Sequence, residues 1–183
     1  IIPMAGRGTR LRPHTLTTPK PLIKLAGKTI VQRLVEEISA SFEEAIDNIG
    51  FVIGDFGTEV EEDLIKIAEK LGASGHIFYQ ERPLGTAHAV LCAEKIMTGS
   101  CVIAFADTLF KSDFNINKSA DGTIWVKQID DPSSFGVVKL DNDIITDFVE
   151  KPDVFVSDLA IIGIYHVKDS SILKGEIEFL IDN

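Results

Sequence analysis

The chain has 183 residues, 45% hydrophobic and 25% charged, a composition that supports an apolar core and excludes fibrous, disordered and disulfide-scaffold proteins. Eighteen Lys+Arg against 28 Asp+Glu give a net charge of −10, which repels nucleic acid and anionic lipid unless the positive charge is gathered in one place. It is gathered: residues 1–28 carry Arg7, Arg10, Arg12, Lys20, Lys24 and Lys28 and no acid, leaving −16 on the rest, a patch suited to a small polyanion such as a nucleoside triphosphate rather than a duplex.

The chain opens in a strand pattern. Ile1 to Met4 is an apolar run ended by Ala5-Gly6, the end of a buried strand, and its start without Met leads us to expect residues before it. A polar Gly/Thr/Pro/basic loop of about 15 residues follows, a length that usually marks function in compact domains. Thr29 is placed to cap a helix over 30–39 with Ile30, Leu34, Val35 and Ile38 on one face. Residues 49–53 read as a strand ended by Gly54-Asp55. Thr58 is placed to cap a second helix whose stripe of Val60, Leu64, Ile67, Ala68 and Leu71 stops at Gly72. A strand over 76–80, a helix over 86–97 and an apolar strand over 101–106 complete three strand–helix units, the pattern of a parallel sheet covered on both faces.

Beyond Asp107 the pattern turns to strands over 122–129, 135–140, 144–149 and 159–167, with Asp141-Asn142-Asp143 as a hairpin turn. These strands extend the same sheet or form a smaller one beside it. No Pro/Gly/Ser-rich linker divides the halves, so one domain over 1–183 is expected. Cys92 and Cys101 fall in helix and strand patterns, which fits buried, reduced thiols of an intracellular protein. No apolar run approaches the ~20 residues of a spanning helix, and no secretory leader pattern appears. The expected location is cytoplasmic, with neither membrane nor nucleic acid as partner.

Three local patterns carry chemistry. Ala5-Gly6-Arg7-Gly8-Thr9-Arg10 follows a buried strand, where glycines let backbone amides approach phosphate oxygens, Thr9 adds a hydroxyl and Arg10 a planar donor fork. Its spacing is neither that of a P-loop nor that of the dinucleotide fingerprint. Lys20 stands between Pro19 and Pro21, a stiffened platform for one cation. Asp107 ends an apolar strand, where a carboxylate can hold Mg²⁺ over the crevice beyond the sheet, although Asp55 ends its own strand in the same way.

These elements occur in a fixed order with Gln80, Pro83-Leu84-Gly85-Thr86-Ala87-His88-Ala89, Phe135-Gly136-Val137-Val138 and Glu150-Lys151-Pro152. Together they resemble the sugar-1-phosphate nucleotidyltransferases, most closely the glucose-1-phosphate thymidylyltransferase branch, over essentially the whole chain. The resemblance implies a Rossmann-like three-layer α/β/α sandwich with a mostly parallel mixed central sheet and a strand-rich second half. It also implies Mg²⁺ as cofactor and transfer of a nucleotidyl group from a nucleoside triphosphate, dTTP or UTP, to a sugar 1-phosphate with release of pyrophosphate. On this likeness Gly6, Gly8 and Thr9 belong to the triphosphate cradle, Arg10 neutralises the α-phosphate and the leaving pyrophosphate, and Lys20 contacts the attacking phosphate and the α-phosphate. Gln80 and Gly85 read a pyrimidine edge, and Asp107 holds the metal. Gly136, Glu150 and Lys151 form the sugar-phosphate side.

The chain also departs from the family pattern. Ala106 and Thr108 flank Asp107 where similar proteins usually carry Gly and often Asn. In the family a second metal-binding aspartate follows the region of Glu176-Ile177-Glu178, so the resemblance implies a chain that continues beyond Asn183 as well as before Ile1. His88 reads as structural, because an ionised phosphate oxygen needs no general base. Guanylyl transfer to mannose 1-phosphate and a catalytically silent nucleotide-sugar-binding regulatory module stand as alternatives, and the oligomeric state, a homo-oligomer included, is open.

Overall fold

Alternating side chains in short strands sort to two apolar faces, and each face recruits its own pair of helices. The computed structural model describes residues 1–6, 15, 18–42, 44–111 and 119–182. In chain order it contains β1 (Ile2–Pro3), a small hairpin of β2 (Lys24–Leu25) and β3 (Lys28–Thr29), α1 (Ile30–Ser41), β4 (Asn48–Ile53), α2 (Thr58–Lys70), β5 (Ser74–Tyr79), α3 (Thr86–Leu91) and β6 (Cys101–Ala104). There follow β7 (Gly122–Gln128), β8 (Gly136–Asp141), β9 (Ile144–Glu150), β10 (Leu159–Val167) and α4 (Ser170–Asp182).

The helix ends obey local chemistry. Thr29 Oγ1 accepts from Gln32 N at 3.2 Å and starts α1 as expected. Thr58, by contrast, is the first helical residue of α2 rather than its cap. Gly57, at φ +83°, holds the cap position, and its carbonyl accepts from Val60 N and Glu61 N. A side chain would be strained at that backbone angle, so the glycine displaces the threonine from the role that its hydroxyl suggests. The helix expected over 86–97 stops at Leu91 and resumes as a 3-10 turn over Glu94–Ile96, which leaves Ala93 and Met97 buried. Helix α4 was not anticipated. Asp169 Oδ1 accepts from Ser171 N near its start, while Gly175 interrupts the helical pattern between its inward Leu173 and Ile177.

Strands β5, β4 and β1 are parallel neighbours, with Ile2 opposite Phe51 and Phe51 opposite Ile77. The ladder continues to β6: Ile1 N donates to Val102 O at 2.7 Å, and Ala104 N donates to Ile1 O at 3.0 Å, the bonding of a parallel pair. Beyond β6 the direction reverses. β10 runs antiparallel to β6 with Ile164 opposite Ala104, β7 and β8 both pair with β10, and β9 closes the edge on β8. Of the two expected arrangements, the strand-rich second half therefore extends the same sheet, and β10 is the joint.

Both faces are covered. Ile2, Phe51, Ile53, Ala104 and Ile164 pack with Val31, Leu34, Val35 and Ile38 of α1 and Leu64 and Ala68 of α2. On the reverse face Ile1, Val52 and Ile103 meet Ala89 and Val90 of α3 and Ile177 of α4. This is a Rossmann-like α/β/α sandwich, in which each fully buried Ile or Leu contributes about 1.5–3 kcal/mol. Among the described residues no helix is long and apolar enough to cross a membrane, and both cysteines are free.

Candidate active site

The sheet order β5–β4–β1–β6 means that the chain leaves β1 toward one side and later returns on the other. The crevice beyond the carboxyl ends of β1 and β6 is thus the topological switch point, where open α/β sheets bind ligands. A cavity of about 310 Å³ occupies that place, lined by Pro3 to Gly6 after β1, Gln80 and Gly85 after β5, Phe105 to Asp107 after β6, and Lys20 with Pro21.

Lys20 opens a 3-10 turn over Lys20–Leu22. Leu22 N donates to Pro19 O at 2.9 Å, and the ring of Pro21 is buried, so the platform is fixed on both sides of the cation. From it Lys20 Nζ donates to the main-chain oxygen of Asp107 at 3.2 Å and lies 3.8 Å from Asp107 Oδ2. Asp55 does not line this cavity. Two strand-end aspartates that look alike in sequence are separated by the fold, which places Asp107 in the crevice wall and leaves Asp55 out of it.

On the opposite wall Gln80 N donates to Ile53 O at 2.9 Å, which anchors its backbone beyond β5. Its Nε2 donates to Gly85 O at 2.9 Å and lies 3.2 Å from His88 Nδ1. Gly85 has φ +106°, an angle reserved for glycine, and directly precedes α3.

Gly136, Glu150 and Lys151 form a second cluster outside the lining of that cavity. Gly136 stands opposite Glu150 in the β8–β9 ladder, and Lys151 Nζ lies 3.0 Å from Glu150 Oε1. Lys151 takes a left-handed backbone angle, φ +44°, held by its N–H bond to Phe135 O at 3.1 Å. Such a conformation costs a non-glycine residue about 1–2 kcal/mol. Sequence reasoning missed an aromatic pair beside the crevice. Phe105, in the cavity wall, meets Tyr165 of β10 edge-to-face at 6.1 Å. Burial, and secondarily the negative charge of Glu150, pushes the Tyr165 hydroxyl pKa up, so it stays protonated. No signal short of the β6–β10 pairing could have joined these rings.

The structure thus brings Gly6, Lys20, Gln80, Gly85 and Asp107 to one crevice and Gly136, Glu150 and Lys151 to a neighbouring ladder. Gly8, Thr9 and Arg10 lie outside the described residues. Among the described residues no group of three or more His, Cys, Asp or Glu side chains is placed to hold a metal.

Comparison with known proteins bears on the family and the fold. The family described as Nucleotidyl transferase matches residues 1–178. The mannose-1-phosphate guanylyltransferase catalytic subunit beta of Drosophila pseudoobscura pseudoobscura is 34% identical over 97% of this chain and 50% of its own length. The bifunctional protein GlmU of Methanococcus maripaludis is 34% identical over 93% of the chain and 40% of its own. The chain therefore spans half or less of these relatives. Among solved structures, a Bacillus anthracis protein provisionally named a glucose-1-phosphate thymidylyltransferase, in complex with a sucrose, superposes with a TM-score of 0.82 at 24% identity, covering 94% of this chain and 71% of that one. A UDP-glucose pyrophosphorylase complexed with UDP-glucose gives 0.78 at 23% identity, covering 100% of this chain and 78% of that one. At these identities the superpositions bear on the fold.

Proposed function

Because the chain belongs to the nucleotidyl transferase family, we propose that it moves a nucleotidyl group from a nucleoside triphosphate to a sugar 1-phosphate and releases pyrophosphate, with residues 1–183 acting as one catalytic domain. The observation that carries this reading is the meeting of Lys20 and Asp107, 87 positions apart, in one crevice at the switch point of the sheet.

A phosphate oxygen of the sugar 1-phosphate attacks the α-phosphorus. A new P–O bond forms as the bond to the pyrophosphate oxygen breaks, and the transferred group passes in line between them. Anion approaches anion, so positioned cations supply most of the help and no covalent enzyme intermediate is needed. Lys20, about a quarter exposed and held by a rigid turn, exchanges its contact with Asp107 for phosphate oxygens. Arg10 serves the α-phosphate and the leaving pyrophosphate, and Gly6, Gly8 and Thr9 cradle the triphosphate. Gln80 and Gly85 face the base, Glu150 holds sugar hydroxyls, Lys151 the sugar phosphate, and Gly136 leaves room beside the ring.

Mg²⁺ fits the donor chemistry of the crevice. The Asp107 side chain is 64% exposed and offers hard oxygens, and Mg²⁺ is typically held by one or two carboxylates together with substrate phosphates. Asp107 is the described residue that would hold it, and the ion when bound neutralises charge on the triphosphate.

The preferred substrates on this reading are dTTP or UTP with glucose 1-phosphate. A second reading, guanylyl transfer to mannose 1-phosphate, is favoured equally by the Drosophila relative. One methyl group on a base is worth only about 1–3 kcal/mol in a pocket, so thymine and uracil are poorly separated. The test is a pyrophosphate-release panel crossing four nucleoside triphosphates with several sugar 1-phosphates. Release that requires both substrates supports transfer, and the best pair names them. Binding without release from any pair returns the protein to a nucleotide-sugar-binding module.

A further inference from the structure

We infer that His88 positions the Gln80 amide with its oxygen toward the crevice, so that the site selects bases presenting a ring N–H, namely uracil, thymine and guanine, over cytosine and adenine. The inference rests on the base-facing role of Gln80 proposed above.

The orientation of the amide follows from its neighbours. Gly85 O is an acceptor only, so the amide atom 2.9 Å from it must be the nitrogen. The same nitrogen lies 3.2 Å from His88 Nδ1, and since an amide nitrogen only donates, that contact is a hydrogen bond when Nδ1 accepts. Nδ1 must then carry a lone pair, which places the imidazole proton on Nε2. Cys92, one turn further along, sets its Sγ 3.9 Å from the same Nδ1. Burial pushes the Cys92 thiol pKa up, so it remains S–H and faces Nδ1 as a weak donor. Two donors thus converge on one unprotonated nitrogen.

Both hydrogens of Gln80 Nε2 are engaged inside the protein, and among the described residues Oε1 has no partner. Gln80 lines the crevice, so what it presents there is an acceptor. Uracil and thymine N3–H and guanine N1–H can donate to it. At the corresponding position cytosine N3 and adenine N1 are bare acceptors and would set lone pair against lone pair. A polar site left unpaired in this way rejects a ligand more strongly than an apolar pocket does. His88 does not itself line the crevice. It acts through Gln80, by removing the donor that would otherwise serve cytosine or adenine.

The test is calorimetric binding of UTP, dTTP, GTP, CTP and ATP, with Mg²⁺ present, to the unmutated chain and to His88→Leu, His88→Asn and Gln80→Ala. The expected result is at least about tenfold tighter binding of the first three nucleotides, reduced to about threefold or less in His88→Leu. His88→Asn, whose side-chain oxygen can replace Nδ1 as acceptor, is expected to restore the preference. A preference untouched by His88→Leu but lowered by Gln80→Ala overturns the inference and leaves the base-facing role of Gln80 standing. A preference that Gln80→Ala does not move, or no preference in the unmutated chain, overturns both. Nitrogen-15 spectra of the unmutated chain read the tautomer without any variant. A proton on His88 Nδ1 overturns the inference whatever the binding data.

Discussion

Gly136 stands directly across the β8–β9 ladder from Glu150, and a Cβ added at Gly136 would come 2.8 Å from Glu150 Oε2. That oxygen is the far end of a flexible side chain, so it can retreat at little cost to the fold, but only by leaving the place where it now sits. Gly136→Ala is therefore expected to change stability by less than about 1 kcal/mol. The KM for the sugar 1-phosphate should rise about tenfold, in line with the loss of a hydrogen bond from a charged group. Thermal melts with steady-state kinetics check this, and an unchanged KM separates Glu150 from the sugar.

Lys20→Ala is expected to lower turnover by about 100-fold or more, because its cation opposes charge that builds in the transition state. The melting temperature should hardly move. The Lys20–Asp107 contact at 3.8 Å is partly exposed, and such pairs are worth about 0–1 kcal/mol. Wild-type turnover in the variant would make Lys20 a solvated lysine in a proline turn.

Asp107→Asn is expected to abolish Mg²⁺-dependent activity while triphosphate binding persists, whereas Asp55→Asn is expected to be nearly silent. The contrast rests on the crevice wall, which includes Asp107 and omits Asp55. Activity titrated against Mg²⁺, beside triphosphate binding measured by calorimetry, compares the two variants. Equal losses in both would remove the topological argument.

Gly75→Ala tests the frame rather than the site. A Cβ there would lie 2.9 Å from Ile65 Cα and 3.2 Å from Ala68 Cβ, so α2 would have to move off β5 as a unit. Such overpacking costs about 1–3 kcal/mol. Denaturant unfolding should show that loss, with KM values unchanged at a temperature where the variant is folded.

The parallel half of the fold was legible because its periodicities are strong. Thr29 with Ile30, Leu34, Val35 and Ile38 states a capped amphipathic helix outright, and α1 is that helix. The hairpin turn was equally readable: Asn142 and Asp143 both take positive φ, as a two-residue hairpin loop requires. What escaped was decided by tertiary contact. Gly57 displaced Thr58 as a cap through its backbone angle, and Gly175 masked the inward stripe of α4. In the site, Lys20, Gln80, Gly85 and Asp107 could be named from order and resemblance. Their convergence could not, since it depends on β6 returning beside β1. The surroundings of His88 and Tyr165 are set by neighbours brought near only by folding, Gln80 in one case and Phe105 in the other.

The way the β8–β9 hairpin is attached also governs how the molecule opens. β9 sits at the sheet edge, and β8 meets β10 with a single paired position, Ala160 opposite Val137, whereas β4 is laddered on both sides by β1 and β5. Hydrogen-exchange protection should therefore fall from β4 to β9, with β9 amides exchanging through local opening that leaves the parallel core intact. The ladder that carries Gly136 and Glu150 then forms the labile part of the sheet, and a ligand bound there would slow its exchange while leaving β4 untouched.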